Sequence, residues 1–232
     1  MKVVTKCMNA AYGCSREAEL DVIASHEKTC PWRVVYCPAM HRRSCRWSGS
    51  ISRLMVHNRE TNCLQILHNN IRDGSTFKSF IGDIREADKS VFDRKFVTHW
   101  KPILLISPTM AEYLLYLTVQ RSSRGLWYLM VRSCHPEFLL ARLKVKLEVF
   151  KSEEEEDQKH TYEGGVISNK LSEEGIVATG NFLMLRDTQV KRLITKDNIF
   201  QYKVTMTKRA PKRRAEEGHL QDERPREDSP GR

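Results

Sequence analysis

Between residues 142 and 149 the chain reads Arg-Leu-Lys-Val-Lys-Leu-Glu-Val, charged and apolar in strict alternation. Side chains on a strand point to opposite faces in turn, so this pattern predicts a strand with one buried and one wet face. Other segments of the same region are short runs rich in Val, Ile, Leu, Tyr and Phe, at 103–106, 113–120, 126–131, 140–150, 162–167, 181–185 and 200–207. Turn formers separate them: Pro102, Pro108, residues 122–125 and 134–136, the acidic run 153–157, Gly164-Gly165 and residues 175–180. Seven or eight short strands punctuated in this way predict an all-β antiparallel sandwich over residues 70–208. The acidic run reads as a solvated hairpin tip.

Residues 1–67 follow a different period. Ala18, Leu20, Val22 and Ile23 precede His26, and Ile51, Leu54, Met55 and Val56 precede His57, both at helical spacing. Ser50 or Ser52 stands where the second helix needs a cap. Each helix follows a polar loop that carries two cysteines. The unit is an internal repeat: Cys14 and Cys45 correspond, as do His26 and His57, with a period of about 31 residues. Such a unit is too small to bury a core, so it needs another source of folding free energy.

The cysteines and histidines supply that source. Cys7, Cys14, His26 and Cys30 are spaced C-x6-C-x11-H-x3-C, and Cys37, Cys45, His57 and Cys63 are spaced C-x7-C-x11-H-x5-C. Thiolate and imidazole donors in fours are what zinc prefers, and four protein ligands leave no position for water or substrate. Two structural zinc ions are expected, each providing most of the folding free energy of its unit. The fold class is therefore a small α+β double zinc finger, residues 1–67, followed by the sandwich.

Composition narrows the setting. No apolar stretch in the 232 residues is long enough to span a bilayer, and Met1–Lys6 leads into Cys7 without an apolar secretory core. A cytoplasmic and/or nuclear location is expected, where cysteines stay reduced and bind metal. The odd total of seven cysteines also argues against a disulfide framework, and Cys134, beside an apolar run, reads as a core residue. The net charge of +10 invites a nucleic-acid reading, but its distribution weakens it. Residues 71–207 carry 21 Lys/Arg against 18 acids, and only Arg42, Arg43 and Arg46 and the basic residues 208–214 cluster. Those runs read as solvated faces. Residues 209–232 hold almost no large apolar side chain, so disorder is expected there.

No two cysteines lie closer than seven positions, which excludes any C-x2-C pair and with it thioredoxin-type redox chemistry, zinc ribbons and a cross-braced RING. A phosphate-binding Walker loop, G-x-S-x-G and H-E-x-x-H are also absent. His99, Cys134 and His135 read as core or surface residues, not as a catalytic group.

The run from Cys7 through Gly13-Cys14, His26-Glu-Lys-Thr-Cys30, Tyr36-Cys37-Pro38, Cys45-Arg-Trp47-Ser-Gly49 and His57 resembles the double zinc finger of the seven in absentia (SIAH) family. The second region is similar to that family's TRAF-like substrate-binding sandwich at Arg142-Leu143, Glu174-Gly175-Ile176, Asp187-Thr188 and residues 202–206. Family members are RING-type ubiquitin ligases, in which the RING recruits a ubiquitin-loaded conjugating enzyme and the sandwich binds substrate and dimerises. Two departures matter. These residues begin at the fingers, so the resemblance implies a RING-less adaptor. The family's second finger ends H-x3-H, a position held here by Thr61, so Cys63 or His68 must serve, and thiolate chemistry favours Cys63.

By the same resemblance, partners are protein substrates or degron peptides that add along a sheet edge, with a homodimer or a heterodimer with full-length relatives. The groove strand would be Val97-Thr98-His99-Trp100, giving Thr98, His99 and Trp100 as peptide-binding residues. His99 stands where an acid is usual. The leading reading is a zinc-binding, SIAH-like interaction module in ubiquitin-dependent protein degradation. The alternatives are an active ligase with its RING supplied elsewhere and, from another class, a nucleic-acid-binding zinc protein using Arg42, Arg43 and Arg46. Membrane association is not expected.

Overall fold

The computed structural model describes residues 3–42, 45–68, 77–85, 89–106, 114–135, 140–151, 159–169 and 171–208. The acidic run 153–157, the tail 209–232 and Arg43 lie outside the described residues, and with them the expectations placed there.

Each finger is a short antiparallel hairpin followed by a helix. In the first, β1 (Val4–Lys6) pairs with β2 (Glu17–Glu19), which runs directly into α1 (Leu20–Glu27). In the second, β3 (Val34–Tyr36) pairs with β4 (Ser48–Ser50), which leads into α2 (Ile51–Thr61). Ser50 occupies the cap position of α2, but its hydroxyl contacts Ser52 Oγ at 2.9 Å and makes no capping bond. Of the apolar positions that gave the first helix its period, only Ile23 is buried, whereas Leu20 remains 62% exposed. The metal ligands occupy the place where a core would be, so a full apolar stripe has nothing to cover.

From the second finger the chain enters the sandwich. Its elements are β5 (Gln65–His68), β6 (Phe77–Ile84), α3 (Lys89–Asp93), β7 (Thr98–His99), β8 (Ile103–Ile106), β9 (Leu115–Arg121), β10 (Leu126–Ser133), β11 (Leu143–Phe150), β12 (His160–Gly164), β13 (Ile167–Ser168), α4 (Glu173–Thr179), β14 (Leu183–Arg186), α5 (Asp187–Leu193) and β15 (Phe200–Lys208). One sheet has the order β13-β10-β9-β8-β5, with β14 also on β10 and β7 also on β9. The other is β12-β11-β15-β6. Pairing is mostly antiparallel, with β10/β13 and β5/β8 parallel. Helix α4 falls where the sequence signalled a turn, and α5 lies in the stretch between the runs 181–185 and 200–207, to which the sequence assigned no element. Ser172 Oγ accepts the Gly175 N–H at 3.2 Å and starts α4, and Gly180 in left-handed conformation ends it.

The core lies between the sheets. Ile103, Leu105, Leu117, Val119, Leu129 and Val131 from one side meet Val145, Leu147, Phe200, Tyr202 and Val204 from the other. The outer face of the larger sheet is also covered. Leu104 and Tyr116 are buried against Val35, Trp47, Ile51 and Met55 of the second finger, and Met130 is buried against Ile176 of α4. Covering on both faces explains why residues 103–106 and 126–131 are continuously apolar rather than alternating. The strand predicted from alternation, β11, has its wet face, with one difference. Glu148 is only 3% exposed, because Lys146 and Lys159 reach its carboxylate at 3.1 and 2.5 Å. Burial opposes its ionisation, but those two ammonium groups outweigh it and hold the carboxyl below its ordinary value.

One buried ion pair locks the end of the sandwich. Arg121, 3% exposed on β9, meets Asp187 through Nε and a terminal nitrogen at 2.9 and 2.7 Å, and also donates to the carbonyls of Phe92 and Arg94. Trp127 Nε1 donates to the same carboxylate at 2.7 Å. Gly125, at φ 72°, lets the β9–β10 hairpin close against Asp187, where a Cβ would come within 2.5 Å of Oδ2. Burial opposes ionisation of Asp187, yet the hydrogen bonds from Arg121 and Trp127 hold its carboxyl below the usual value.

Replacing Asp187 by Ala would strand a buried guanidinium, which costs about 3–5 kcal/mol, and a denaturant titration should show that loss. The contribution of the native carboxylate is fully present above about pH 4, the unfolded-state value. It is lost as acid carries the pH down through the lowered folded value, so an Asp187→Asn protein should show a flatter acid limb in its stability profile.

Candidate metal centres and peptide groove

In the first finger a tight 3-10 turn, Met8–Tyr12, follows Cys7, and Gly13 closes it at φ 112°. The Asn9 backbone N–H and side-chain amide both point at Cys7 Sγ at 3.5 Å. Trp32 packs over Gly13, leaving no room for a Cβ there. His26 stands in the last turn of α1 and Cys30 just beyond it. The outcome is a convergence of Cys7, Cys14, His26 and Cys30, whose ligand atoms all lie within 4.8 Å of one another. Cys14 Sγ is 3.3 Å from His26 Nε2, and Cys7 Sγ is 3.9 Å from Cys30 Sγ.

The second finger repeats this plan. The Ala39 and Trp47 N–H groups point at Cys37 and Cys45 Sγ, at 3.4 and 3.5 Å. Cys37, Cys45, His57 and Cys63 converge within the same 4.8 Å limit. His57 Nε2 lies 3.2 Å from both Cys45 and Cys63 Sγ, and Cys37 Sγ is 3.3 Å from Cys63 Sγ. The Trp47 indole stacks on the His57 imidazole at 4.5 Å and 8°, which fixes the ring plane. His68 is on β5 opposite Ile106, in the sheet, and Cys63 is the sulfur that joins the group.

These dimensions test the metal directly. Zinc bonds of 2.0–2.3 Å on a tetrahedron give ligand–ligand edges of roughly 3.3–3.8 Å, close to the observed separations. The sulfurs are too far apart for disulfides, which need about 2.0 Å, and all seven cysteines are free thiols. Electrostatics agree. Burial, followed by the neighbouring thiols Cys14 and Cys7, pushes the Cys30 thiol up to about 11, and burial pushes Cys37 up as well. Cys14 moves the other way, held below its ordinary value by the hydrogen bond from the Arg16 backbone, and metal binding would displace the remaining thiol protons. Burial also lowers the His57 pKa, which favours the neutral imidazole that binds metal. The donor sets fit two structural zinc ions, each with four protein ligands and no open position.

The two centres differ in their surroundings. The first packs only with Ile23, Ala18 and Trp32. The second shares apolar contacts with Leu54, Leu64 and Leu114, and the same finger buries Val35 against Tyr116 and Cys134 of the sandwich. Cys134 thus lies in the seam between finger and sheet, and burial pushes its thiol up to about 11. His99 is opposite Gln120 at one end of β9, whereas Cys134 and His135 follow Ser133, opposite Leu115 at the other. These three do not form a catalytic group.

Thr98 and His99 form β7, which pairs with β9, and the Trp100 N–H continues the ladder to Val119 O at 3.0 Å. Trp100 packs on Trp127 at 4.6 Å with the ring planes tilted by 30°, and donates from Nε1 to Arg85 O at 2.9 Å. A cavity of about 610 Å³ opens beside these residues, bordered by Gln65, Asp83, Thr98, His99, Trp100 and Lys101. The Thr98 hydroxyl is buried without a hydrogen-bond partner.

Two closed Cys3His sites on a repeated hairpin–helix unit, joined to a β-sandwich, define a double-zinc-finger protein. Residues 1–77 match the family model described as "Sina, zinc finger", a span that covers about a third of the chain and contains all eight ligands. The match bears out the resemblance carried by the run from Cys7 to His57, and the N-terminal region is a Sina-type double zinc finger. No curated protein matches the chain. No helix among the described residues is long and apolar enough to cross a membrane. The stacking of Trp47 on His57 had no signal in the ligand spacing.

A Cys14→Ser protein should bind one zinc instead of two by elemental analysis while the sandwich keeps its melting temperature. A Cys37→Ser protein should lose one zinc and also lower that melting temperature, because its finger covers Leu104 and Tyr116.

Proposed function

We propose that this protein is a SIAH-type interaction module of ubiquitin-dependent protein degradation. Its fingers, residues 1–67, are a rigid zinc-built base, and its TRAF-like sandwich, residues 70–208, selects protein substrates by their degron peptides. The observation that carries this reading is the pairing of a Sina-type double finger with a sandwich that has a grooved edge at β7. An extended peptide would lie along the short strand β7, and the adjacent cavity would give room for its side chains. Thr98 and His99, which border the cavity, would contact such a peptide. Trp100 would form the floor of the groove. Since it also packs on Trp127, its loss would disturb the fold as well as binding, and His99 is the cleaner probe.

The 232 residues contain no C-x2-C pair, so conjugating-enzyme recruitment would come from a RING outside them, and the module would then deliver or withhold substrate. Self-association or pairing with full-length relatives through the sandwich, and action in the cytoplasm or nucleus, complete the reading. Ligase activity of the chain itself and nucleic-acid binding are the readings it competes with.

The deciding experiment is a reconstituted ubiquitination assay with activating enzyme, a panel of conjugating enzymes and a full-length SIAH relative. The chain alone should be silent, and its addition should raise or lower the relative's activity. Activity of the chain alone would overturn the proposal. Under the same reading, His99→Asp should change degron-peptide affinity by about tenfold in fluorescence polarisation, since a peptide beside β7 would meet an added charge at close range.

A further inference from the structure

The two centres close their last ligand differently. In the first, three residues separate His26 from Cys30, α1 ends at Lys28 in right-handed conformation, and the sulfur follows directly. In the second, five residues separate His57 from Cys63, and α2 continues through Thr61. Two added residues would carry the sulfur past the metal unless the chain turned back. The turn is made at Asn62, whose left-handed φ of 49° stops the helix while its N–H bonds Asn58 O at 2.7 Å. The side chain of the same Asn58 then accepts the Leu64 N–H through Oδ1, also at 2.7 Å, and lies 3.9 Å from Cys63 Sγ.

Asn58 therefore grips the step on both sides of Cys63, by its carbonyl before the sulfur and by its amide oxygen after it. It is only 6% exposed, and a buried primary amide inside a helix is unfavourable unless bonded. Outward anchors hold the same loop. Lys101 Nζ donates to Asn62 Oδ1 at 2.8 Å, Leu64 is 1% exposed, and the Gln65 N–H bonds Pro102 O at 2.9 Å where β5 begins.

We propose that Asn58 is the positioning residue for the second centre: it folds the five-residue spacer so that Cys63, and not His68, completes the tetrahedron. It is not a ligand, and its effect passes through the Leu64 amide. Groups that orient a ligand in this way typically govern metal affinity by about 10–100-fold.

The test uses the whole chain loaded with cobalt(II), whose thiolate charge-transfer band reports how many sulfurs are bound. Asn58→Leu keeps the size and the helix but removes the acceptor. It should weaken the second-centre affinity by about tenfold or more and reduce the band to that of Cys63→Ser, with the first centre unchanged. Asn58→Asp keeps an acceptor oxygen and should retain the band. An Asn58→Leu protein with unaltered affinity and band would overturn the proposal. Equal loss in Asn58→Leu and Asn58→Asp would overturn it too, because it would make Asn58 a packing residue.

Discussion

The joining of the second finger to the sandwich depends on the four residues Asn62–Gln65 belonging to two structures at once. Cys63 is a corner of the second metal site, and the next residue, Leu64, is buried in the apolar cluster that holds Cys37 and Leu54. One residue further, Gln65 starts β5, which runs parallel to β8 in the larger sheet. A parallel edge strand contributes little by itself, and here the metal fixes its leading end. The second finger and the sandwich therefore share one folding unit. The first finger, whose buried apolar cluster among the described residues draws only on its own side chains and Trp32, is held mainly by its metal.

The same arrangement explains the shape of the candidate groove. Its walls come from β7, the end of β6, Gln65 where the chain leaves the second finger, and Lys101 between β7 and β8. Lys101 also holds Asn62. Behind the groove, Trp100 and Trp127 pack together, and Trp127 is tied to Asp187 and so to Arg121. A buried guanidinium with four satisfied bonds is rigid, because releasing any partner would leave charge in a low-dielectric interior. An opening at a sheet edge is thus backed by groups that cannot easily yield. A surface meant to read an extended peptide through its backbone needs that stiffness, since adaptation on binding costs affinity.

The ligand residues were legible because zinc demands few residue types at constrained separations, and a duplicated spacing leaves little freedom. Most strands were legible for a similar reason: β8 and β11 lie within the apolar runs that predicted them, and β9, β10 and β15 overrun theirs by one or two residues. The helices α4 and α5 were not. Gly175 and Gly180 read as turn formers, whereas Ser172 caps one end and Gly180 stops the other, so the signals were the helix's own punctuation. The whole of β6 was missed because Lys78, Ser79, Gly82 and Asp83 break up its apolar positions.

What the sequence determined by itself was the pair of metal sites and the class of fold, because ligand chemistry and strand periodicity are local and survive without knowledge of neighbours. Tertiary structure decided the rest. Periodicity could assign Leu104, Tyr116 and Met130 to strands, but only packing of the second finger and α4 turned their outer face into interior. Charge on Glu148 pointed to solvent until two lysines closed over it. Thiolate chemistry favoured Cys63 over His68, but where His68 goes, into β5 opposite Ile106, is set by hydrogen bonds to a strand some forty residues away. Long-range pairing has no local signature, which is why that part of the molecule had to be seen.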